Sequence, residues 1–316
     1  NGNGAATIVN DAGLNFAAST VTGALTATAT TGNITDSGAL AITGTTTLTT
    51  SANDATITLN NASNSFTGAI AITTNDASGT DADVTIDGGT TALIIAASTI
   101  DGDLTLTTGH ASGITDSGNV VVGGNFSATT DDNNGVINVG TMQVDGTVAL
   151  TTNGNGAATI VNDAGLNFAA STVTGALTAT ATTGNITDTG NLAITGAAVF
   201  TTGATGSNIE LDSSGNAFAA QVTMQADDGS EAFGNITFVD SAAIDFATSA
   251  GSNGDLYINA GTDGAVGGNL SVTATTGNIT DTVALAVTGT TTVVTSANDA
   301  TITLDNTSNA FTGAVT

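Results

Sequence analysis

The chain has 316 residues, with 27 acidic side chains, no lysine and no arginine, so its formal charge is −27. Nothing basic is available to neutralise phosphates, which excludes nucleic acid and anionic membrane surfaces as partners. The absence of cysteine excludes a disulfide framework, a thiolate nucleophile and Cys-ligated zinc.

Hydrophobic residues make up 40% of the chain, with Val, Ile and Thr abundant, so it is expected to fold rather than behave as an acidic disordered segment. Proline and tryptophan are also absent. No apolar run approaches the ~18 residues of a membrane span, and no membrane insertion is expected. The first residues, Asn1-Gly2-Asn3-Gly4, open in the middle of a repeat, so any targeting segment is expected to lie outside this sequence.

Residues 1–36 recur without a change at 153–188, an offset of 152, and the correspondence continues less strictly through Asn64-Ser65-Phe66 against Asn216-Ala217-Phe218. A second match pairs residues 50–70 with 295–315, an offset of 245. Fixed-offset self-similarity marks a repeat architecture.

Inside the first copy, Gly23 opens a strand-like run to Thr30. Leu25, Ala27 and Ala29 fall on one face of it, and Thr26, Thr28 and Thr30 on the other. Asn33-Ile34-Thr35 and Ala39-Leu40-Ala41-Ile42 follow as two shorter strands, divided by Thr-Gly and Asp-Ser-Gly corners. The same opening glycine recurs at Gly44, Gly68, Gly102, Gly124, Gly146, Gly175, Gly196, Gly254, Gly268, Gly289 and Gly313, with Ala220 in the same role, at a mean spacing of about 24 residues. Intervals of 34 residues (68–102 and 220–254) and 14 residues (254–268) break this rhythm. Phe16, Phe66, Phe168, Phe218 and Phe311 each sit beside an Asn corner and are expected to pack inward near a bend.

Three short strands per unit predict an all-β, single-stranded parallel β-helix of about 12–13 coils, each of roughly 21–24 residues. It would form one continuous solenoid over 1–316, with the internal duplication 1–152 and 153–304. Rungs ~4.8 Å apart would give about 60 Å of rod.

Asn64-Ser-Phe-Thr-Gly-Ala-Ile70, its variants at 216–222 and 309–315, and the repeated Thr-Gly-Asn-Ile-Thr-Asp resemble the repeats of very large bacterial surface exoproteins of the filamentous-haemagglutinin-like and autotransporter type. That resemblance implies right-handed β-helical stalks that carry adhesive tips away from a cell, and an extracellular, cell-surface location. It transfers no secretion domain and no passenger enzyme.

Chemistry has few candidates. A polysaccharide lyase needs a base and a cation at the uronate, and the chain has no Lys or Arg. The acid pairs Asp81/Asp83, Asp131/Asp132 and Asp227/Asp228 read as solvated corners rather than the carboxylates of a hydrolase. His110 is the one histidine and reads as an exposed turn residue. No catalytic residue and no enzymatic activity is therefore expected.

Asp36, Asp188 and Asp281 each follow Asn-Ile-Thr and are expected to occupy one column, with Asp116 after Gly-Ile-Thr in a variant coil. Stacked acids repel unless screened, so these four are the candidate ligands for Ca²⁺, the one cofactor considered. The alternative for each is an Asx-turn with the following Ser/Thr-Gly. Outward Thr26/Thr28, Thr47/Thr49, Thr105/Thr107 and Thr178/Thr180 could line a flat face, though Ala149, Val199, Gln225, Tyr257 and Asn259 interrupt it.

The functional expectation is a structural stalk or self-assembling filament segment, whose partner is itself through end-to-end or lateral assembly, or neighbouring solenoid coils. The alternatives are a glycan- or calcium-binding adhesin module, centred on the divergent region 224–263, and an ice-binding solenoid.

Overall fold

The structure is a computed structural model that describes residues 3–75, 81–226, 234–247, 255–258 and 265–316. Every regular element among them is a β-strand, and the strands stack in parallel as about 13 coils of a β-solenoid. The chain divides into two compact units, Asn1–Ile160 and Val161–Thr316.

Alternation of apolar and hydroxyl side chains builds each rung. In Leu25–Ala29 the odd positions are buried and Thr26 and Thr28 stay partly exposed, as the period of two requires. Leu, Ile, Val, Ala and Phe fill the interior; Phe16, Phe66, Phe168 and Phe218 each end a strand and turn inward, and Phe311 is half-buried. In the second unit Phe168, Phe200 and Phe218 meet edge to face at 6.2 Å, the geometry that aromatic quadrupoles favour.

Threonine also enters the core. Thr50, Thr130 and Thr152 lie on long strands, point inward, and donate their hydroxyls to the carbonyls of Ala55 (3.1 Å), Gly135 (3.0 Å) and Gly156 (2.6 Å). Thr46 is as buried, stacked between Leu25 below and Ile70 above, but its hydroxyl has no partner. A buried hydroxyl without a hydrogen bond costs roughly 1–3 kcal/mol. Thr46→Val keeps the shape and removes that cost, so it is expected to raise the midpoint of denaturant unfolding; a fall would show that the hydroxyl is satisfied in solution.

In the first unit one column of strands stacks Ala6–Asn10, Leu25–Ala29, Thr46–Thr50 and Ile70–Thr73. A second stacks Leu14–Phe16, Ile34–Asp36, Ile57–Leu59 and Val84–Asp87. The next long strand, Leu104–Thr108, lands on this second column, with Leu104 over Val84, and Phe126–Asn133 and Thr147–Asn153 follow it. The irregular interval 68–102 explains the change. Its described residues hold Ile70–Thr73, Val84–Asp87, Leu93–Ile95 and Ser98–Ile100, four strands where a regular coil has three, and the pattern advances by one face.

The second unit makes the same move. Leu177–Ala181, Ala198–Thr202, Val222–Ala226 and Asp255–Ile258 form one column, after which Leu270–Ala274 and Thr291–Thr295 sit on the column of Ile186–Asp188, Ile209–Leu211 and Ile236–Asp240.

The opening glycines follow these columns. The Gly23 amide donates to the Gly4 carbonyl at 2.9 Å and Gly44 to Gly23 at 3.1 Å; above the change of face, Gly124 donates to Gly102 and Gly146 to Gly124, both at 3.0 Å. A Cβ placed on Gly68 would lie 2.5 Å from the carbonyl carbon and oxygen of Gly44. Close approach of successive coils therefore requires glycine here.

Candidate functional site

The four aspartates predicted as calcium ligands sit at strand ends, and each reaches up to the next coil of its own unit. Asp36 accepts from the amides of Asn60 (3.2 Å) and Asn61 (3.3 Å) and from Asn64 Nδ2 (2.6 Å). Asp188 does the same with Asp212 (2.8 Å), Ser213 (3.3 Å) and Asn216 Nδ2 (2.6 Å). Asp281 repeats it with Asp305 (2.9 Å), Asn306 (3.4 Å) and Asn309 Nδ2 (2.6 Å). Asp116 has no asparagine above it and uses Thr141 instead, accepting from its amide at 2.6 Å and its hydroxyl at 2.7 Å, with the Gly140 amide at 3.0 Å.

The asparagine of each clamp works in both directions. Asn64, Asn216 and Asn309 accept, at 2.8 Å, the amides of Leu40, Leu192 and Leu285 four residues beyond the aspartate. One asparagine thus ties a carboxylate and a backbone amide of the coil below to its own coil.

The expected single aspartate column does not form. Asp36 and Asp116 stand on different columns of the first unit. In the second, Asp188 ends a strand stacked under Ile209–Leu211, whereas Asp281 stacks on Phe246. The change of face described above separates positions that the sequence aligns. Among the described residues no group of three or more His, Asp or Glu side chains is placed to hold a metal. Ca²⁺ takes six to eight oxygen ligands, while these carboxylates face mainly N–H donors. Chelation with EDTA is accordingly expected to leave the thermal transition unchanged, and a drop in its midpoint would show that a cation is held.

A second polar ladder runs beside the clamps and was not anticipated. In the second unit the Oδ1 atoms of Asn185, Asn208, Asn235 and Asn269 accept the amides of Asn208, Asn235, Asn269 and Thr290 at 2.8–2.9 Å. In the first unit Asp83, Asp103 and Asn125 do so with Asp103 (2.8 Å), Asn125 (2.6 Å) and Thr147 (2.8 Å). Each ladder residue stands immediately before a strand, where the corner would otherwise leave an amide of the next coil unbonded.

Of the candidate acid pairs, Asp83 belongs to that ladder, Asp131 and Asp132 are exposed, and Asp227/Asp228 lie outside the described residues, as does Asn259. His110 is half-buried rather than fully exposed; its Nδ1 accepts the Ser112 amide at 3.0 Å, and it lines an open groove with Phe66, Thr91 and Ile94.

The most unusual acid is Asp240, fully buried at the end of Ile236–Asp240. One oxygen accepts the Phe218 amide at 3.1 Å and the other has no partner. Burial pushes its carboxyl above the ordinary aspartate value, against hydrogen bonds from the amides of Phe218, Ala242 and Ser241. A raised folded-state pKa stabilises the fold fully below the ordinary carboxylate range, and that contribution is lost as pH rises through the raised value. Asp240→Asn is therefore expected to raise the melting midpoint at pH 7 and to gain little at pH 3. An equal shift at both would rule out the titration.

Columns of repeated side chains joining coil to coil define the class as a parallel β-solenoid repeat protein. The family of repeats of unknown function, DUF5649, matches residues 3–73, 81–132, 155–225 and 233–316, and the chain belongs to it. Neither a curated protein nor a solved structure matches the chain.

Proposed function

We propose that the chain is a structural segment of an extracellular bacterial surface protein, a stalk or filament that supports adhesion or a cell-surface matrix. One observation carries this reading. The polar residues that recur from copy to copy, the Asp–Asn clamps and the corner ladder, bond each coil to the next, so what is repeated is the stacking itself. The resemblance to large surface exoproteins supports the location, and the absence of Lys and Arg leaves trypsin-like proteases no cleavage site.

The test is to insert one further copy of the 152-residue repeat and compare maximum dimensions by small-angle scattering. About six added coils at ~4.8 Å each predict a lengthening of roughly 30 Å. An unchanged maximum dimension would refute a spacer role.

An ice-binding face is a second reading, favoured by one register. Thr35, Thr58, Thr85, Thr105 and Ser127 stack outward on five successive coils of the first unit. Thermal hysteresis in the purified chain would support it, and its absence would remove it.

A further inference from the structure

At three corners an asparagine bonds to the next coil with one half of its side-chain amide and leaves the other half to solvent. Asn33, Asn185 and Asn278 each open the sequence Asn-Ile-Thr-Asp. Their Oδ1 atoms accept the amides of Thr56 (3.0 Å), Asn208 (2.9 Å) and Thr301 (2.9 Å) in the coil above. Only the oxygen of a carboxamide can accept an N–H, so each bond fixes which way the group is turned and points Nδ2 away from the amide it holds. All three asparagines are exposed, and the Nδ2 of each makes no hydrogen bond with a described residue.

The residue two positions on completes the arrangement. Ile34, Ile186 and Ile279 are buried, so the period of two turns the residues on either side outward. Thr35, Thr187 and Thr280 therefore share a face with the asparagines and are partly exposed. The Thr35 and Thr280 hydroxyls donate to the Leu14 carbonyl (3.4 Å) and to Asp245 Oδ1 (2.7 Å), which leaves their lone pairs available. Asn-x-Ser/Thr with x other than proline is the acceptor pattern for N-glycosylation, and here its nitrogen and its hydroxyl stand together at an accessible corner. The ladder of the second unit supplies a control. Asn208 opens Asn-Ile-Glu, has no hydroxyl two residues on, and engages its Nδ2 with Glu210 Oε1 at 2.9 Å.

We propose that Asn33, Asn185 and Asn278 are N-glycosylation sites, modified by transfer of a sugar from a diphosphate-linked donor. In the transfer the bond from the sugar C1 to the diphosphate oxygen breaks and the diphosphate leaves with the electron pair. Nδ2 forms the new bond to C1, and one of its protons passes to a base of the transferring enzyme. One N–H and the whole of Oδ1 remain, so the bond to the next coil survives the modification. The proposal goes beyond the structural role above and does not depend on it.

The test is peptide mass spectrometry on the chain isolated from the organism that makes it. Chymotrypsin suits a chain without Lys or Arg, and the peptides holding Asn33 and Asn185 then differ in their last residues, Ser37-Gly-Ala-Leu40 against Thr189-Gly-Asn-Leu192. The peptides with Asn33, Asn185 and Asn278 are expected to gain the mass of whole saccharide residues, placed on asparagine by fragmentation, and the peptide with Asn208 to gain none. Thr187→Val keeps the shape of the strand and is expected to abolish the sugar on Asn185 while leaving that on Asn33. Three bare asparagines, sugar carried on Ser or Thr hydroxyls alone, or sugar on Asn185 that survives Thr187→Val would each overturn the proposal. None of these outcomes bears on the lengthening measured with an inserted repeat, so failure of the modification and failure of the spacer role are separable.

Discussion

Gly68→Ala is expected to destabilise the chain by at least about 2–3 kcal/mol, the scale of a forced backbone displacement in a packed interior. The methyl group would sit 2.5 Å from the Gly44 carbonyl, and that neighbour is backbone, which has no rotamer to move aside. No positive φ is involved at Gly68, so the loss is one of space, and larger side chains are expected to be worse in order of volume. Gly140→Ala is the matched control, because a Cβ there meets nothing within 4 Å. Denaturant unfolding of the two variants is expected to separate them clearly; equal small losses would mean that coils are not held at this approach.

Asn64→Ala carries the second large effect. The side chain is buried and makes three bonds: to Asp36 at 2.6 Å, to the Leu59 carbonyl at 3.3 Å and from the Leu40 amide at 2.8 Å. Truncation leaves the Leu40 amide and the Asp36 carboxylate each short of a partner, and a buried group left unsatisfied costs roughly 1–3 kcal/mol. A loss of about 3 kcal/mol or more is expected from unfolding curves. A cycle with Asp36→Ala is expected to show the two losses far from additive, because both break one clamp. Additive losses would show that Asp36 and Asn64 act separately.

Much of the fold was legible because strands have a period of two and coils a period near 24. Leu25, Ala27 and Ala29 share one face of the alternation, and that face is buried. The glycine rhythm located the coil openings. What the sequence hid is equally physical. In Thr46-Thr-Leu-Thr-Thr50 hydroxyls occupy both parities, so alternation cannot say that Thr46 and Thr50 point inward while Thr47 and Thr49 point out. The described residues of the 34-residue interval 68–102 form four strands, and three-strand faces look alike in composition, so the change of face was invisible. That same change misplaced the aspartates, which align in sequence but not in space.

The clamps themselves left a signal that went unread. Asp36/Asn64, Asp188/Asn216 and Asp281/Asn309 are each 28 residues apart, one coil plus four residues. Asp240 left none, because only packing around its particular strand end makes it buried.

The register across the change of face is the central claim, and spin labels test it directly. The chain has no cysteine, so pairs introduced by substitution are the sole attachment points. Thr85 and Thr105 are partners on adjacent coils and both face outward. Labels at Thr85→Cys and Thr105→Cys are expected to show strong dipolar broadening, as for backbones ~5 Å apart. Labels at Ala71→Cys and Thr105→Cys, which would be neighbours if the first column simply continued, are expected to show little. Strong coupling in the second pair and weak coupling in the first would contradict the stacking described here.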